Sequence, residues 1–142
     1  MKDAQDKFLI VKRPQNDSEF PGSWGLPAVS TKPGELPEQA ALRVCQEKLS
    51  CSAIPIRFIG AMFQKRANYD IVMMDIEMIL DQKTKPDVKK AKTENTTYIE
   101  QRWSDKPSDL LESAKKGSCC SSIFLFDKGL LEKDDLLTEI NG

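Results

Sequence analysis

The residues best suited to chemistry are concentrated in one short segment, which contains Glu35, Arg43, Glu47 and Lys48. Arg43 and Glu47 are four residues apart, so they share one face of a helix, where they can form an ion pair. Carboxylates on one helix face can also converge on a hard divalent cation, which neutralises phosphate oxygens and orients or acidifies water. A metal site and a structural ion pair are therefore both open interpretations of this segment.

Lys48 and Arg13 are the candidates for direct contact with a phosphate group. Lys48 could supply a positive charge to a phosphate without any metal ion. It could equally be a solvated lysine near the end of a helix, where the helix dipole favours a cation, and we prefer this second interpretation. Arg13 and its neighbour Lys12 follow a short apolar run and could reach a phosphate, although basic residues at the end of a strand are common.

A helix that begins near Pro37 and ends near Ser50 would position these side chains. Proline is favoured in the first helical turn, where its missing N–H has no partner to lose, and Glu35 and Glu38 suit the positive end of the helix dipole. The apolar residues of the segment supply a buried face; they are Ala40, Ala41, Val44 and Leu49. The sequence thus predicts an amphipathic helix against a core.

The remaining pattern is typical of an alternation of strands and helices. Runs rich in aliphatic, methionine and aromatic side chains predict strands at Phe8–Val11, Ile56–Phe63 and Tyr69–Leu80. Asp75 and Glu77 alternate along the last of these strands and could face a cleft, although alternating acids more often lie on the solvated face of a strand.

The second half of the chain is predicted to contain a loop and two further helices. The polar, lysine-rich segment 81–97 is expected to be an exposed loop. A helix is predicted from Pro107 to Lys115, with a break at Gly117–Ser122 and then a short apolar run at Ile123–Phe126. The leucines of Leu130–Ile140 favour a C-terminal helix.

The acidic and basic segment also fits a longer motif. It is preceded by Trp24-Gly25-Leu26-Pro27, and seven residues separate Glu35 from Arg43. This pattern resembles the Nudix box, which is a glycine, five residues, a glutamate, seven residues and then Arg-Glu-apolar-x-Glu-Glu-x-Gly-apolar. Glu35, Arg43 and Glu47 match the box. The residues that replace its glycines and glutamates are Ala28, Val29, Val44, Lys48 and Ser50.

The resemblance extends beyond the box, from Phe8 to about Leu111, because Tyr98–Trp103 and Asp109–Leu111 are similar to the late strand of the family and its following helix. It implies an α+β fold, a Nudix-like α/β/α sandwich with a mixed β-sheet packed between helices. We expect a single domain over residues 1–142. Only Met1–Lys7 precedes the first clear strand, so the usual first strand of the family is expected to be short, supplied by a partner chain or missing.

The resemblance also implies roles for individual side chains. Glu35 and Glu47 would be ligands of Mg²⁺ or Mn²⁺, with Glu47 as the catalytic carboxylate and Glu100 or Glu94 as a ligand from outside the box. Arg43 would be mainly structural. The substitutions weaken this site, because Val44 has no ligand atom and the ammonium of Lys48 would repel a cation.

Composition excludes several other classes of function. The 142 residues carry 21 basic and 22 acidic side chains, a net charge of -1, so no electrostatic footprint for a nucleic-acid polymer or an anionic membrane is present. The chain has no histidine, which excludes Ser-His-Asp triads and Cys-His pairs. Its four cysteines are expected to be reduced thiols packed as small apolar groups, and a cytoplasmic location is the default expectation.

Two classes of function remain as hypotheses. The first is a divergent Nudix hydrolase that cleaves a nucleoside diphosphate linked to another group (NDP-X), with a weakened magnesium site. The second is a catalytically inactive Nudix-fold protein that binds a nucleotide or another diphosphate-containing small molecule, or a protein partner. An enzyme acting on a different phosphorylated substrate is a third possibility, and a homodimer is left open.

Overall fold

The computed structural model describes residues 1–93 and 97–140 of the chain. Its strands are β1 (Phe8–Lys12), β2 (Trp24–Gly25), β3 (Ala53–Lys65), β4 (Asp70–Leu80) and β5 (Glu100–Ser104). Its α-helices are α1 (Pro37–Leu49), α2 (Leu111–Lys115) and α3 (Cys119–Asp127). Short 3₁₀ helices occur at Val88–Lys90, Pro107–Leu110 and Lys133–Asp135.

The strands form two antiparallel groups. β1 lies between β2 and β5, whereas β3 and β4 form a long hairpin. Lys2 joins the two groups: its N–H donates to the Met78 carbonyl at 2.8 Å, and its own carbonyl accepts from Leu80 N–H at 2.9 Å. Lys2 forms one antiparallel bridge to Phe8 of β1 and one parallel bridge to Ile79 of β4, so a single residue lies between the two groups of strands. Among the described residues, the parallel pairings are two isolated bridges, one between Lys2 and Ile79 and one between Lys65 and Glu139.

The alternation of side chains along β1 explains the layered core. Leu9 and Val11 pack into one cluster with α1, whereas Phe8 and Ile10 pack into a second cluster with α2 and α3. Residues two apart on a strand point to the same face, so the apolar run of β1 supplies both clusters. The sheet therefore lies between α1 on one side and the α2–α3 pair on the other, which confirms the predicted α+β fold.

Several local predictions agree with the structure. α1 begins at Pro37 as predicted, and Ser50 ends it in the left-handed conformation with a φ of 50°. The residues of Pro107–Lys115 are helical, first as a 3₁₀ turn and then as α2. All four cysteines are free and buried, as expected for thiols packed as small apolar groups.

Two predictions in the C-terminal part are wrong. The break is shorter than predicted: it covers residues 116–118, where Gly117 has a φ of 101°, and α3 begins at Cys119 rather than after Ser122. The predicted helix at Leu130–Ile140 is replaced by a 3₁₀ turn and an extended end. The extended end is held by backbone bonds of Lys65 to Thr138 and Ile140, at 2.9 and 3.0 Å. Tertiary pairing with the β3–β4 hairpin therefore overrides the helical spacing of the leucines.

The segment 81–93 is less exposed than expected for a loop, because Val88 is buried in the cluster beneath α1. Among the described residues, no helix is long and apolar enough to cross a membrane.

Candidate functional site

Arg43 is the centre of a polar cluster at the N-terminal side of α1. Its guanidinium donates to both oxygens of Glu35, at 2.9 Å each, and to Glu47 at 3.3 Å. A fourth bond, at 2.7 Å, reaches the carbonyl of Ser30. The side chain therefore ties the Glu35 loop and the Ser30 loop to α1, which is the arrangement that the structural interpretation of Arg43 expects.

The hydrogen bonds between Arg43 and Glu35 keep both side chains charged. The guanidinium of Arg43 lowers the pKa of Glu35 to about 2, with the backbone N–H of Lys32 acting in the same direction. Glu35 in turn raises the pKa of Arg43. A carboxylate that accepts hydrogen bonds on both oxygens from one guanidinium forms a strong, charge-assisted pair. Both groups therefore stay ionised across the physiological range, and they neutralise each other.

Lys48 is buried, so its interpretation as a solvated lysine is wrong. Only 6% of the residue is exposed, because Lys48 shares the buried face of α1 with Val44 and is covered by the loop that contains Ala28. Its ammonium donates to the Ala28 carbonyl at 2.9 Å and lies 5.2 Å from the centre of the Tyr98 ring. Burial, followed by repulsion from Arg13 and Arg43, lowers the pKa of Lys48 to about 8.

Tyr98 completes the contact around Ala28, the residue that replaces a glycine of the family. The Ala28 N–H donates to the Tyr98 hydroxyl at 2.9 Å, and the hydroxyl lies 3.3 Å from the Ala28 carbonyl. Burial raises the pKa of Tyr98 to about 12, so the hydroxyl stays protonated. Lys48 and Tyr98 thus both bind the backbone of Ala28. No sequence motif connects residues 28, 48 and 98, so this contact was not predicted.

Arg13 and Glu100, the other predicted site residues, lie at different places. Arg13 pairs with Asp17 at 3.2 Å, stacks 5.3 Å from the centre of the Phe20 ring, and lines the same cavity as Lys48. Glu100 is exposed on β5, where its carboxylate is 4.0 Å from the ammonium of Lys12. Glu94, the alternative acid, lies outside the described residues.

The donor set around Glu35 and Glu47 does not fit a magnesium ion. Both oxygens of Glu35 are bonded to Arg43, and Val44 and Lys48 stand at the positions of two further glutamates. Across residues 1–93 and 97–140, no group of three or more Asp, Glu, Cys or His side chains could hold a metal ion. Mg²⁺ demands near-ideal octahedral oxygen coordination, which a guanidinium-bound carboxylate and an ammonium do not supply.

A cavity of about 850 Å³ opens between α1, β4 and the loop that contains Ala28. Lys48, Tyr98 and Arg13 form part of its wall, and so does Asp75. Asp75 is 8% exposed, so the interpretation as part of a solvated face is wrong for this residue; it pairs with Gly60 of β3, which lies against Ile123 of α3. Glu77, two residues along, pairs instead with Lys2 at 2.7 Å and with Arg57 at 3.0 Å.

Comparison with protein families gives a match to the NUDIX domain over residues 1–105, which is well over half of the chain. The chain therefore belongs to the NUDIX family, as its sequence motif indicated. A comparison with curated protein sequences finds no significant match.

Solved structures show the same fold at low sequence identity. A NUDIX hydrolase from Nitrosomonas europaea is similar with a TM-score of 0.67 and 17% identity, over 94% of this chain and 92% of that one. A MutT protein from Methanosarcina mazei Go1 gives 0.63 and 16%, over 90% and 87%. An Ap4A hydrolase from C. elegans, in a binary complex, gives 0.57 and 17%, over 87% and 85%.

Proposed function

We propose that this protein is a NUDIX-fold module that binds a nucleotide or a related diphosphate-containing small molecule without a metal ion in the box. The observation that carries the proposal is the position of Lys48, whose ammonium takes the place of a glutamate and lines the cavity beside Arg13. A fixed positive charge can bind phosphate oxygens directly, and it opposes the cation that the family uses.

Electrostatics support an anionic ligand. The bond to Ala28 uses one of the three N–H donors of the Lys48 ammonium, which leaves two for a ligand. Burial is the main cause of the lowered pKa of Lys48; repulsion from Arg13 and Arg43 lowers it further, and attraction to Glu47 and Asp17 offsets the shift only in part. A diphosphate in the cavity would relieve this repulsion, so its binding and the protonation of Lys48 favour each other.

The second candidate is the NDP-X hydrolase with Glu35, Glu47 and Glu100 as ligands of Mg²⁺ or Mn²⁺. One observation favours it: the Glu47 side chain is 31% exposed, and its 3.3 Å contact is the longest of the Arg43 hydrogen bonds. A divalent cation could compete for this carboxylate. Turnover by this route would require Glu35 and Glu47 to leave Arg43.

Titration calorimetry distinguishes the two candidates. The purified protein is titrated with a non-hydrolysable nucleoside diphosphate analogue in buffer with EDTA, and then with Mg²⁺ or Mn²⁺ with and without the analogue. The variants are Lys48→Met, which keeps the buried volume, Lys48→Glu, Glu47→Gln and the matched control Lys115→Met on the exposed surface of α2.

We expect metal-free binding that weakens about tenfold or more in Lys48→Met, because a charge-assisted contact is lost, and that is unchanged in Lys115→Met. Unchanged affinity in a folded Lys48→Met variant would contradict the role of the ammonium. Specific metal uptake that is lost in Glu47→Gln and strengthened in Lys48→Glu would instead support the hydrolase. Absence of both kinds of binding would contradict both candidates and favour a role in protein interaction.

A further inference from the structure

One edge of β4 is unpaired along most of its length. β3 pairs with the opposite edge, from Asp70 to Leu80. On the open edge, the backbone pairing present in the described part of the chain is that of Lys2, which binds the Met78 carbonyl and the Leu80 N–H. The N–H and C=O groups of alternate residues point to the same edge of a strand. The open edge therefore also carries the backbone groups of Val72, Met74 and Ile76.

These three residues have no backbone partner on the open edge within residues 1–93 and 97–140. The unpaired stretch extends over the seven residues from Asp70 to Ile76. At a rise of about 3.3 Å per residue it is about 23 Å long, which is the length of an ordinary strand. Lys2 pairs with β4 in the parallel sense, so a strand that continues this pairing would also run parallel to β4.

The cavity of about 850 Å³ lies along this open edge. Its wall includes nine consecutive residues of β4, from Asp70 to Met78. Successive side chains point to opposite faces of a sheet, so a cavity that contacts all of them borders the edge of the strand. The wall also includes Val44 of α1 and Phe124 of α3, which belong to the apolar clusters on the two faces. The cavity therefore continues the sheet between its two helical layers.

The two strands of the hairpin differ in their protection against further pairing. β3 carries features that natural proteins use to protect an edge: Pro55, the charged residues Arg57 and Lys65, and two register shifts. β4 contains neither proline nor lysine, and its residues follow one another without an insertion opposite β3. This contrast indicates that the edge of β4 is suited to pairing with another strand.

We propose that the open edge of β4 binds an extended, apolar segment of a partner protein, which joins the sheet as a strand parallel to β4. Val72, Met74 and Ile76 would supply the backbone hydrogen bonds, as in other cases of strand addition. A parallel strand between two helical layers is buried on both faces, so the segment should be uncharged and rich in Val and Ile. This inference goes beyond the proposed function, because the phosphates would contact Lys48 on α1, whereas the segment contacts the backbone of β4.

Synthetic peptides test the proposal by fluorescence anisotropy. The probe is a fluorescein-labelled peptide with an Ile-Val-Thr-Val-Ile core between Gly-Lys-Lys ends, which keep it soluble. The control peptide has the same core with every core amide N-methylated, so it keeps the apolar side chains and loses the backbone donors. The protein is tagged at its carboxyl end to leave the open edge free.

Two variants of Met74 probe the protein side of the same hydrogen bonds. Met74→Pro removes an N–H from the open edge, and Met74→Val keeps the N–H with another apolar side chain. Both should melt close to the wild type, because this N–H has no backbone partner in the unbound protein and proline is tolerated at such an edge.

We expect the wild type to bind the unmethylated peptide about tenfold or more tightly than the methylated one, because strand addition requires the backbone donors. Met74→Pro should bind the peptide about tenfold more weakly, and Met74→Val within about threefold of the wild type. In native-state hydrogen exchange, the peptide should protect the amides of Val72, Met74 and Ile76. The amides of Ile71 and Met73, which point towards β3, should be unchanged.

Several outcomes would overturn the proposal. They are the absence of peptide binding, equal binding of the methylated peptide, which indicates apolar adsorption, and normal binding by Met74→Pro. If light scattering shows a dimer whose Val72 and Met74 amides are already protected without peptide, a second copy of this chain occupies the edge and the partner segment is wrong. Should Met74→Pro not fold, the exchange pattern of the wild type decides the question. Diphosphate binding is measured separately, so its failure would count against the proposed function alone.

Discussion

At the scale of single residues, Arg43 competes with a metal ion for the surviving glutamates of the box. It binds both oxygens of Glu35 and one of Glu47, so the negative charge that would attract a cation is reduced. The spacing of these residues could be recognised in the sequence. The sequence alone, however, could not show whether the carboxylates bind Arg43 or a metal ion. That choice depends on Ser30 and Lys32, which bond to the same pair from the preceding loop.

The Arg43–Glu35 pair predicts a stability that depends on acid pH. The pKa of Glu35 is lowered from 4.5 to about 2 in the folded state. The pair therefore stabilises the fold fully above pH 4.5, and this contribution is lost as the pH falls from 4.5 towards 2. Thermal unfolding of the wild type and Arg43→Met at pH 6 and pH 3 should show a large difference in melting temperature at pH 6 and a smaller one at pH 3.

A matched control for this prediction is Lys116→Met, which breaks the exposed pair between Lys116, directly after α2, and Glu112 on α2. Its melting temperature should stay close to that of the wild type at both pH values, because an exposed ion pair contributes little. An equal loss of stability in Arg43→Met at pH 6 and at pH 3 would show that the pKa of Glu35 does not depend on Arg43.

At the scale of elements, α1 could be predicted because its signals are local, whereas the C-terminal segment could not. Pro37 starts α1 and the apolar residues repeat at helical spacing. After Gly129, the conformation is decided by distant partners: Gln64 donates to the Leu137 carbonyl at 2.7 Å, and Ile140 packs over Gly117. Lys48 was misjudged for the same reason, because the loop that buries it lies 20 residues away.

The end of α1 provides a prediction of its own. Ser50 has a φ of 50°, in the left-handed region where glycine has no steric cost, and the family has glycine at this position. Its hydroxyl donates to the Lys90 carbonyl at 2.7 Å. Both Ser50→Gly and Ser50→Ala lose this bond, but only glycine relieves the backbone. Ser50→Gly should therefore be more stable than Ser50→Ala by about 1 kcal/mol in urea unfolding.

Asparagine is the control for the backbone explanation, because it tolerates the left-handed conformation and retains a polar side chain. The free energy of unfolding of Ser50→Asn should therefore be closer to that of Ser50→Gly than to that of Ser50→Ala. Equal stability of the glycine and alanine variants would mean that the helix end relaxes to a different conformation and that the strain at Ser50 is negligible.

At the scale of the whole molecule, the two strand groups are joined by little backbone pairing. The β3–β4 hairpin packs through side chains on α1 and α3, and Lys2 supplies the bridge between β1 and β4. The sequence predicted strands at Phe8–Val11, Ile56–Phe63 and Tyr69–Leu80, and it left the family's first strand as short, supplied by a partner chain or missing. It could not show that one residue near the start of the chain takes up this position, because a single bridge has no periodic pattern.

The bridge predicts that one backbone N–H contributes measurably to the junction. Lys2→Pro removes the donor to Met78, a residue that is 3% exposed, and leaves its carbonyl without that bond. The expected cost is about 1–3 kcal/mol in the free energy of unfolding, the usual range for an unsatisfied buried polar group. Lys2→Ala is the control: it removes the ion pairs with Glu77 and Asp6 but keeps the backbone N–H, so its effect on the free energy of unfolding should be smaller.

Native-state hydrogen exchange should locate the change, because the amides of Leu9 and Leu80 are bonded across the junction to Met1 and Lys2. Faster exchange at these two amides in Lys2→Pro, with unchanged exchange within the hairpin, is the expected result. Equal stability of the two variants would mean that side-chain packing alone holds the two groups of strands together.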